Sequence, residues 1–428
     1  MVDMVSQVAW LNFDAEQQRR TQLMMAALTS QGAVDELGLG IARDLIADVL
    51  HPGLSVLHTR ARYLLFVPRA FRHLKGHSVD KLQAEAQRAE GKLVNQLVAH
   101  YANIGIPDEY GIIGRRTAGD TKQPPSFAYW GLIRSLEILR IGGSSSDYFR
   151  ALAGINSAGT AHSLLHSEDD EAAGTDSLWR EIPKQPDVFG GFELTADEAH
   201  FLQDRAISSE RRNPEHRSLF SWLLDPAHES WFSGMRYAWE YPLASEFPSH
   251  TNYVMHLGRD LDRFIHGARI LYNYLCAVQM PPTDKKDEWI ERYRSAMEAW
   301  SAELSAEPVS AERLDQLNGW ALFQMANRRA SQGALARWRS TYRFIKDWET
   351  CLGRGTSLLA NSVAADLITR REKALKPGRA RLNNPDKLRV WLGASGYFRF
   401  DYNWAVCDRL LTDIHRGLGT TITAVDAQ

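Results

Sequence analysis

Cysteine is scarce in this sequence. The three present, Cys276, Cys351 and Cys407, form no CxxC pair and sit beside no spaced histidine pair. A disulfide framework and a structural zinc site therefore have no residues to build on, and scattered single cysteines fit a reducing cytoplasm. Long apolar runs are also missing. No stretch of about 18 uncharged apolar residues occurs, so no transmembrane span is expected. The opening MVDMVSQVAWLNFD has an early acid and no long apolar core, so it does not read as a signal peptide. Phosphate-cradling glycine loops are absent as well. Gly38–Gly40 and Gly353–Gly355 are bare GxG pairs without the third glycine and flanking strand of a dinucleotide site. Walker, GxSxG, HExxH and EF-hand patterns are not found, nor is the HxK of phospholipase-type nucleases. Asp284 and Lys286 give a DxK spacing, but at the start of a helical pattern, where restriction-type cores use strands. No cofactor and no metal are expected.

What is present is helical patterning. Hydrophobic residues make up 44% and charged residues 24% of 428, which is ordinary globular composition, and 13 tryptophans imply large packing surfaces. Ile290, Tyr293, Met297, Trp300 and Leu304 step by three and four over 284–305, and Leu257, Leu261, Phe264, Ala268, Leu271 and Leu275 do so over 254–278. Residues 79–103 read as a further helix. Thr195 with Glu198 makes a capping box for the helix through Phe201. Strands are few: LLFV at 64–67, and WLGASGYFRFDY at 391–402. The fold class expected is mainly α, multi-helical, in two lobes with at most a small β element. Residues 166–193 mix acids, glycine and proline, which suits a linker or surface loop. The division read from this is 1–165, an acidic connection at 166–190, and 191–428.

Charge is segregated although the whole chain stands at -2. Residues 167–210 hold twelve acids against Arg180, Lys184 and Arg205. Three other segments are basic. Residues 58–76, HTRARYLLFVPRAFRHLKG, carry Arg60, Arg62, Arg69, Arg72 and Lys75 and no acid. Residues 316–346 carry Arg328, Arg329, Arg337, Arg339, Arg343 and Lys346 and no acid. Residues 370–389 carry eight basic residues against Glu372 and Asp386. Basic residues interleaved with aromatics suit nucleic acid, because arginine neutralises phosphates and aromatic faces stack on bases. The candidate phosphate contacts are Arg69, Arg72, Lys75, Arg337, Arg339, Arg343, Arg379, Arg381 and Arg389, with Trp338 and Trp391 as stacking platforms. The competing expectation is internal pairing with the 52 acids. Arg60 and Arg62 are read as structural, paired with Asp44 or Asp48 across a helical hairpin at His51–Gly53.

Two further patterns are weaker. Residues 124–154 read as helix, glycine turn, helix, with Ser126 and Ser145 or Ser146 as caps, which any helical hairpin shares with a DNA-reading helix-turn-helix. His256 with Asp260, and Asp262 with His266, are i, i+4 pairs on two sides of one helix, and no third ligand accompanies either.

The phrases DELGLGIARDLIADVLHPGLSVLHTRARYLLFVPRAF (35–71), YGIIGRR and PPSFAYWGLIRSLEI (110–138), FIHGARILYNYL (264–275) and RARLNNPDKLRVWLGASGYFRFDYNWAVCDRLLTDIHRGL (379–418) together resemble an uncharacterised bacterial family, domain of unknown function 6361. The resemblance runs from Trp10 to Leu418. It implies a cytoplasmic bacterial protein often encoded near restriction, helicase or other phage-defence genes, and brings no catalytic residues. The reading is a DNA-associated component of an anti-phage defence system, with DNA favoured over RNA, partners among defence-system helicases or nucleases, no membrane, and binding in place of chemistry. The alternatives are a nuclease with a divergent metal site and a protein-only scaffold subunit.

Overall fold

The computed structural model describes residues 35–107, 109–117, 119, 123–163, 178–185, 189–211, 214–228, 230–352 and 357–425. Among them are fourteen α-helices and one two-stranded parallel sheet, so the protein is mainly α. The helices are α1 (Gly40–Leu50), α2 (Tyr63–Phe71), α3 (Val79–Asn103), α4 (Pro125–Ser135), α5 (Ser145–Ser163), α6 (Ala196–Glu210), α7 (Leu219–Trp222), α8 (Ser249–Gln279), α9 (Lys286–Ala306), α10 (Ala311–Asn327), α11 (Gln332–Leu352), α12 (Ser362–Leu375), α13 (Pro385–Leu388) and α14 (Trp404–Leu418).

The chain divides into two compact units, each assembled from separated segments. The first comprises Met1–Ala42 and Asp260–Arg399, the second Arg43–Arg259 and Phe400–Gln428. These boundaries differ from the division by composition at 166–190. They fall within α1 and α8 and after Arg399, where the sequence shows no change of composition. Residues 164–177 and 186–188 of the expected connection lie outside the described residues.

In the second unit, residues 64–67 belong to helix α2 and not to a strand. Tyr63 to Pro68 are all buried, and a helix enclosed on every side carries no period to separate it from a buried strand. Gly53, at φ +78°, meets the backbone of Gly131 on α4, where a Cβ would stand 2.7 Å from the carbonyl oxygen; glycine supplies both the left-handed turn and the close approach. Helix α3 starts at Ser78, whose hydroxyl accepts from the Lys81 N–H. Helix α5 starts one residue earlier than its expected caps: Ser144 and Asp147 exchange hydrogen bonds. Ser126 does not cap α4; its N–H and hydroxyl donate to Glu90. The capping box at Thr195 and Glu198 forms in both halves. Strands β1 (Ser230–Ser233) and β2 (Thr421–Ala424) pair in parallel, Ser230 opposite Thr421. Trp231, Tyr241, Trp404 and His415 pack beneath them, with His415 stacked on Trp231 at 5.1 Å.

In the first unit, α9, α10 and α11 follow the three-four apolar spacing. Trp300 of α9 lies against Gly267 of α8, where any side chain would meet its ring, and its indole N–H donates to the Arg263 carbonyl at 2.7 Å. Residues 391–399 run as irregular backbone with bends in place of the expected strand. Gly393 at φ +89° and Gly396 at φ +58° interrupt any extended run.

Candidate nucleic-acid interface

Helix α11 begins where Ser331 accepts from the Ala334 N–H. It buries Trp338, Thr341, Phe344, Ile345, Trp348 and Cys351, a face repeating at three and four. Arg339 and Arg343, four apart, fall on the opposite, exposed face; Arg337, two residues before Arg339, is also exposed but points to a different side of the helix. Among the described residues none of these three guanidinium groups has a carboxylate partner. Helix α12, capped by Asn361 through the Val363 and Ala364 N–H groups, packs along α11. Its Arg370 is exposed and its Arg371 half-buried.

Arg371 fixes the geometry. It lies over the Phe344 ring at 5.1 Å and donates to the Leu37 carbonyl (2.8 Å), the Ser340 hydroxyl (2.8 Å) and the Thr341 hydroxyl (3.1 Å). One side chain thus ties α12 to α11 and to residues 37–38. Burial pulls its pKa below the ordinary arginine value. The result is an open groove of about 230 Å³ lined by Ser340, Arg343, Phe344, Asp347, Leu367, Arg370 and Arg371. Three guanidinium groups face it against one carboxylate. A groove of this kind can hold an anion by charge and by forked N–H donation, the geometry phosphate oxygens accept.

Elsewhere the expected contacts divide. Arg379 is exposed. Arg389 is exposed and pairs with Asp386 at 3.0 Å, three residues away. Arg381 is drawn inward: it contacts Glu36 and donates to the Tyr272 hydroxyl at 3.2 Å. Around it Lys376 contacts Glu36, Tyr272 donates to Glu372 at 2.8 Å, and Glu372 accepts from the Arg381 and Leu382 N–H groups at 2.9 and 3.0 Å. Two buried carboxylates facing two cations make a saturated cluster, so the expectation of a phosphate contact at Arg381 is corrected to a structural role.

The stacking expectations are corrected in the same way. Trp338 is 0% and Trp391 3% exposed. Trp338 donates to the Asn318 side chain at 2.9 Å, and Trp391 packs on Trp289 at 5.2 Å. Neither presents a face to a base, because both occupy apolar positions of their segments.

The 58–76 stretch is assembled inside the second unit. Arg60 binds Asp413 at 3.0 Å and Glu109 at 2.8 Å. Arg62 and Arg69 share the fully buried Glu198 at 3.0 and 2.7 Å, and Arg69 also donates to the Pro183 carbonyl at 2.8 Å. Arg60 and Arg62 are structural as expected, but through Asp413, Glu109 and Glu198 in place of Asp44 or Asp48; Asp44 pairs with Arg43. The ridge expected of Arg69, Arg72 and Lys75 does not form as drawn: Arg69 is committed, Arg72 is half-buried, and only Lys75 is exposed. On α5, the helix that would read DNA, the only described arginine or lysine is Arg150, bound to Asp147 at 2.7 Å.

Both aspartates of the histidine–aspartate patterns on α8 have arginine partners. Asp260 accepts from Arg313 at 2.7 Å, and Asp262 lies 3.5 Å from Arg269 and Arg399. Lys286 donates to the Met280 carbonyl at 2.8 Å. No group of three or more His, Cys, Asp or Glu side chains placed to hold a metal occurs among the described residues, and no described helix is long and apolar enough to cross a membrane. Arg370 and Arg371 were not singled out by sequence; the signal was the RREK run, but only α11 beside it makes a groove of it.

A family model described as a family of unknown function, DUF6361, matches residues 5–417. The chain belongs to that family. No curated protein and no solved structure matches it. The family match spans segments of both units and so covers the arginine groove and the buried clusters alike.

Proposed function

We propose that this DUF6361 protein binds nucleic acid, DNA before RNA, through the α11–α12 face, and contributes binding and not chemistry to an assembly of the anti-phage kind. The observation that carries the reading is the set of exposed arginines, Arg337, Arg339 and Arg343 on α11 with Arg370 across the groove, which have no carboxylate partner among the described residues. A protein of net charge -2 that leaves Arg339 and Arg343 unpaired on one side of α11, with Arg370 across the groove from Arg343 and Arg337 unpaired near the start of the same helix, has a local surface suited to polyanions. Exposed Arg379, Lys387 and Arg389 extend the basic character of the same unit. Arg371 serves it indirectly by holding the two helices together.

Fluorescence anisotropy of the full chain with labelled duplex and single-stranded DNA tests this. The logarithm of the binding constant should fall linearly with the logarithm of salt, with a slope of about -0.9 per duplex phosphate contact. Arg339→Ala with Arg343→Ala should flatten the slope by about one contact each and weaken all sequences alike. Absence of binding at low salt, or binding that salt and both substitutions leave unchanged, contradicts the proposal.

A further inference from the structure

The segment after α13 presents two large aliphatic side chains to solvent. Leu392 is 90% exposed and Val390 72%, the highest values among the exposed large hydrophobics described. They are not on a loose loop. Trp391 between them is buried against Trp289, with Tyr293 beyond. Tyr293 donates to the Gly393 carbonyl, and Gly393, at φ +89°, lies so close to the Trp289 indole that a Cβ would come within 2.5 Å of it. On the other side Leu388 is buried, and Asn384 caps α13 by accepting from the Lys387 N–H. Two aromatic anchors and a capped turn therefore hold an apolar tip in one orientation. Arg379, Lys387 and Arg389 are exposed along the same segment, and Asp386 is the exposed acid among them.

A rigid tip of two aliphatic side chains with cations behind it fits one occupant. Proteins that bend duplex DNA insert an apolar wedge between base steps while flanking cations hold the phosphates. A bilayer asks for more: stable attachment takes a wide apolar face or two anchoring signals, and two aliphatic side chains supply neither. From this we propose that Val390 and Leu392 form a wedge that enters a base step of bound duplex DNA and bends it, with Lys387 and Arg389 on the adjoining phosphates. The inference rests on the nucleic-acid reading above and adds a mode of engagement to it. No covalent step is involved.

The experiment uses the full chain and a duplex of about 25 base pairs, a length over which a bend is measurable, carrying a donor and an acceptor dye at its two ends. Wild-type protein should shorten the end-to-end distance. Val390→Ala with Leu392→Ala, both at solvent-exposed positions, should abolish the shortening and weaken anisotropy-measured affinity by roughly fivefold to tenfold, leaving the salt slope unchanged because no phosphate contact is lost. Leu392→Phe, which keeps a wedge, should retain the bend. Arg339→Ala with Arg343→Ala should do the reverse, flattening the slope and leaving the bend at saturation. If the double alanine variant bends and binds as the wild type does, the wedge is overturned while the nucleic-acid reading stands. If wild type binds no DNA, both fall. If the alanine pair lowers co-sedimentation with anionic phosphatidylserine vesicles and leaves DNA binding alone, the tip belongs to a membrane and the proposal is overturned.

Discussion

The arginines of residues 60–69 and those of 337–343 look alike in sequence and are opposite in structure. Both groups lie in acid-free stretches with aromatic neighbours. In the second unit Arg60, Arg62 and Arg69 reach carboxylates 49 to 353 positions away, at Glu109, Glu198 and Asp413. In the first unit Arg339 and Arg343 stand on the solvent side of a helix whose other face carries Trp338, Phe344, Ile345 and Trp348. Charge along the chain therefore says little about charge in space. The apolar period says more, because it fixes which side of a helix each arginine occupies.

The sharpest way to break this comparison is to remove an acid that the buried arginines share. Glu198→Ala leaves Arg62, 2% exposed, and Arg69 without their carboxylate and also removes half of the capping box of α6. Breaking a buried pair from one side costs about 3–5 kcal/mol. Urea denaturation followed by tryptophan fluorescence should show a loss of that size.

Glu372→Ala is the equivalent cut in the first unit. It removes the acceptor for the Arg381 and Leu382 N–H groups and for Tyr272. Each unsatisfied buried donor costs about 1–3 kcal/mol. The expected signature is a lowered midpoint together with new protease cleavage within 376–384.

The third effect is a pH dependence of the second unit. Burial lowers His51 to about 3, and His58 and His415 to about 4. His58 donates from Nε2 to the Ala128 carbonyl and accepts at Nδ1 from the Ser55 N–H, so its neutral form is the one the fold satisfies. The folded values lie below the unfolded value of 6.5, so the unfolded chain takes up protons first. Stability is present above about pH 6.5 and falls as pH drops toward 4. Glu90 acts the other way: burial raises it from 4.5 to about 7, so its contribution is full below the unfolded value and is lost as pH rises through 7. Glu90→Gln should remove that alkaline loss and leave the acid limb in place. Denaturation midpoints measured across pH 4 to 8 read both limbs.

The smallest effect is the most telling. Arg339→Ala with Arg343→Ala should change stability by no more than about 0.5 kcal/mol, because exposed positions without partners contribute little to the fold.

Much of the helical frame was legible from apolar spacing and caps: α3, α8 and α9 and the Thr195–Glu198 box follow directly. Residues 64–67 were not, because complete burial erases the period that tells helix from strand. The boundaries of the two units escaped because α1 and α8 run through them without a break in composition. The groove was half legible. Its arginines stood in the basic segments, but which ones face solvent depended on carboxylates that sequence could not locate: Glu36 for Arg381, Glu198 for Arg69. Trp338 and Trp391 looked like platforms because tryptophan serves cores and surfaces alike, and only the packing partners, Asn318 and Trp289, decide between them.

Hydrogen–deuterium exchange of the full chain, with and without a saturating duplex, tests the contrast most directly. Bound DNA should protect peptides from 332–352 and 362–375 and leave those from 58–76 unchanged. Protection confined to 58–76, with the α11 and α12 peptides unaffected, would contradict the account.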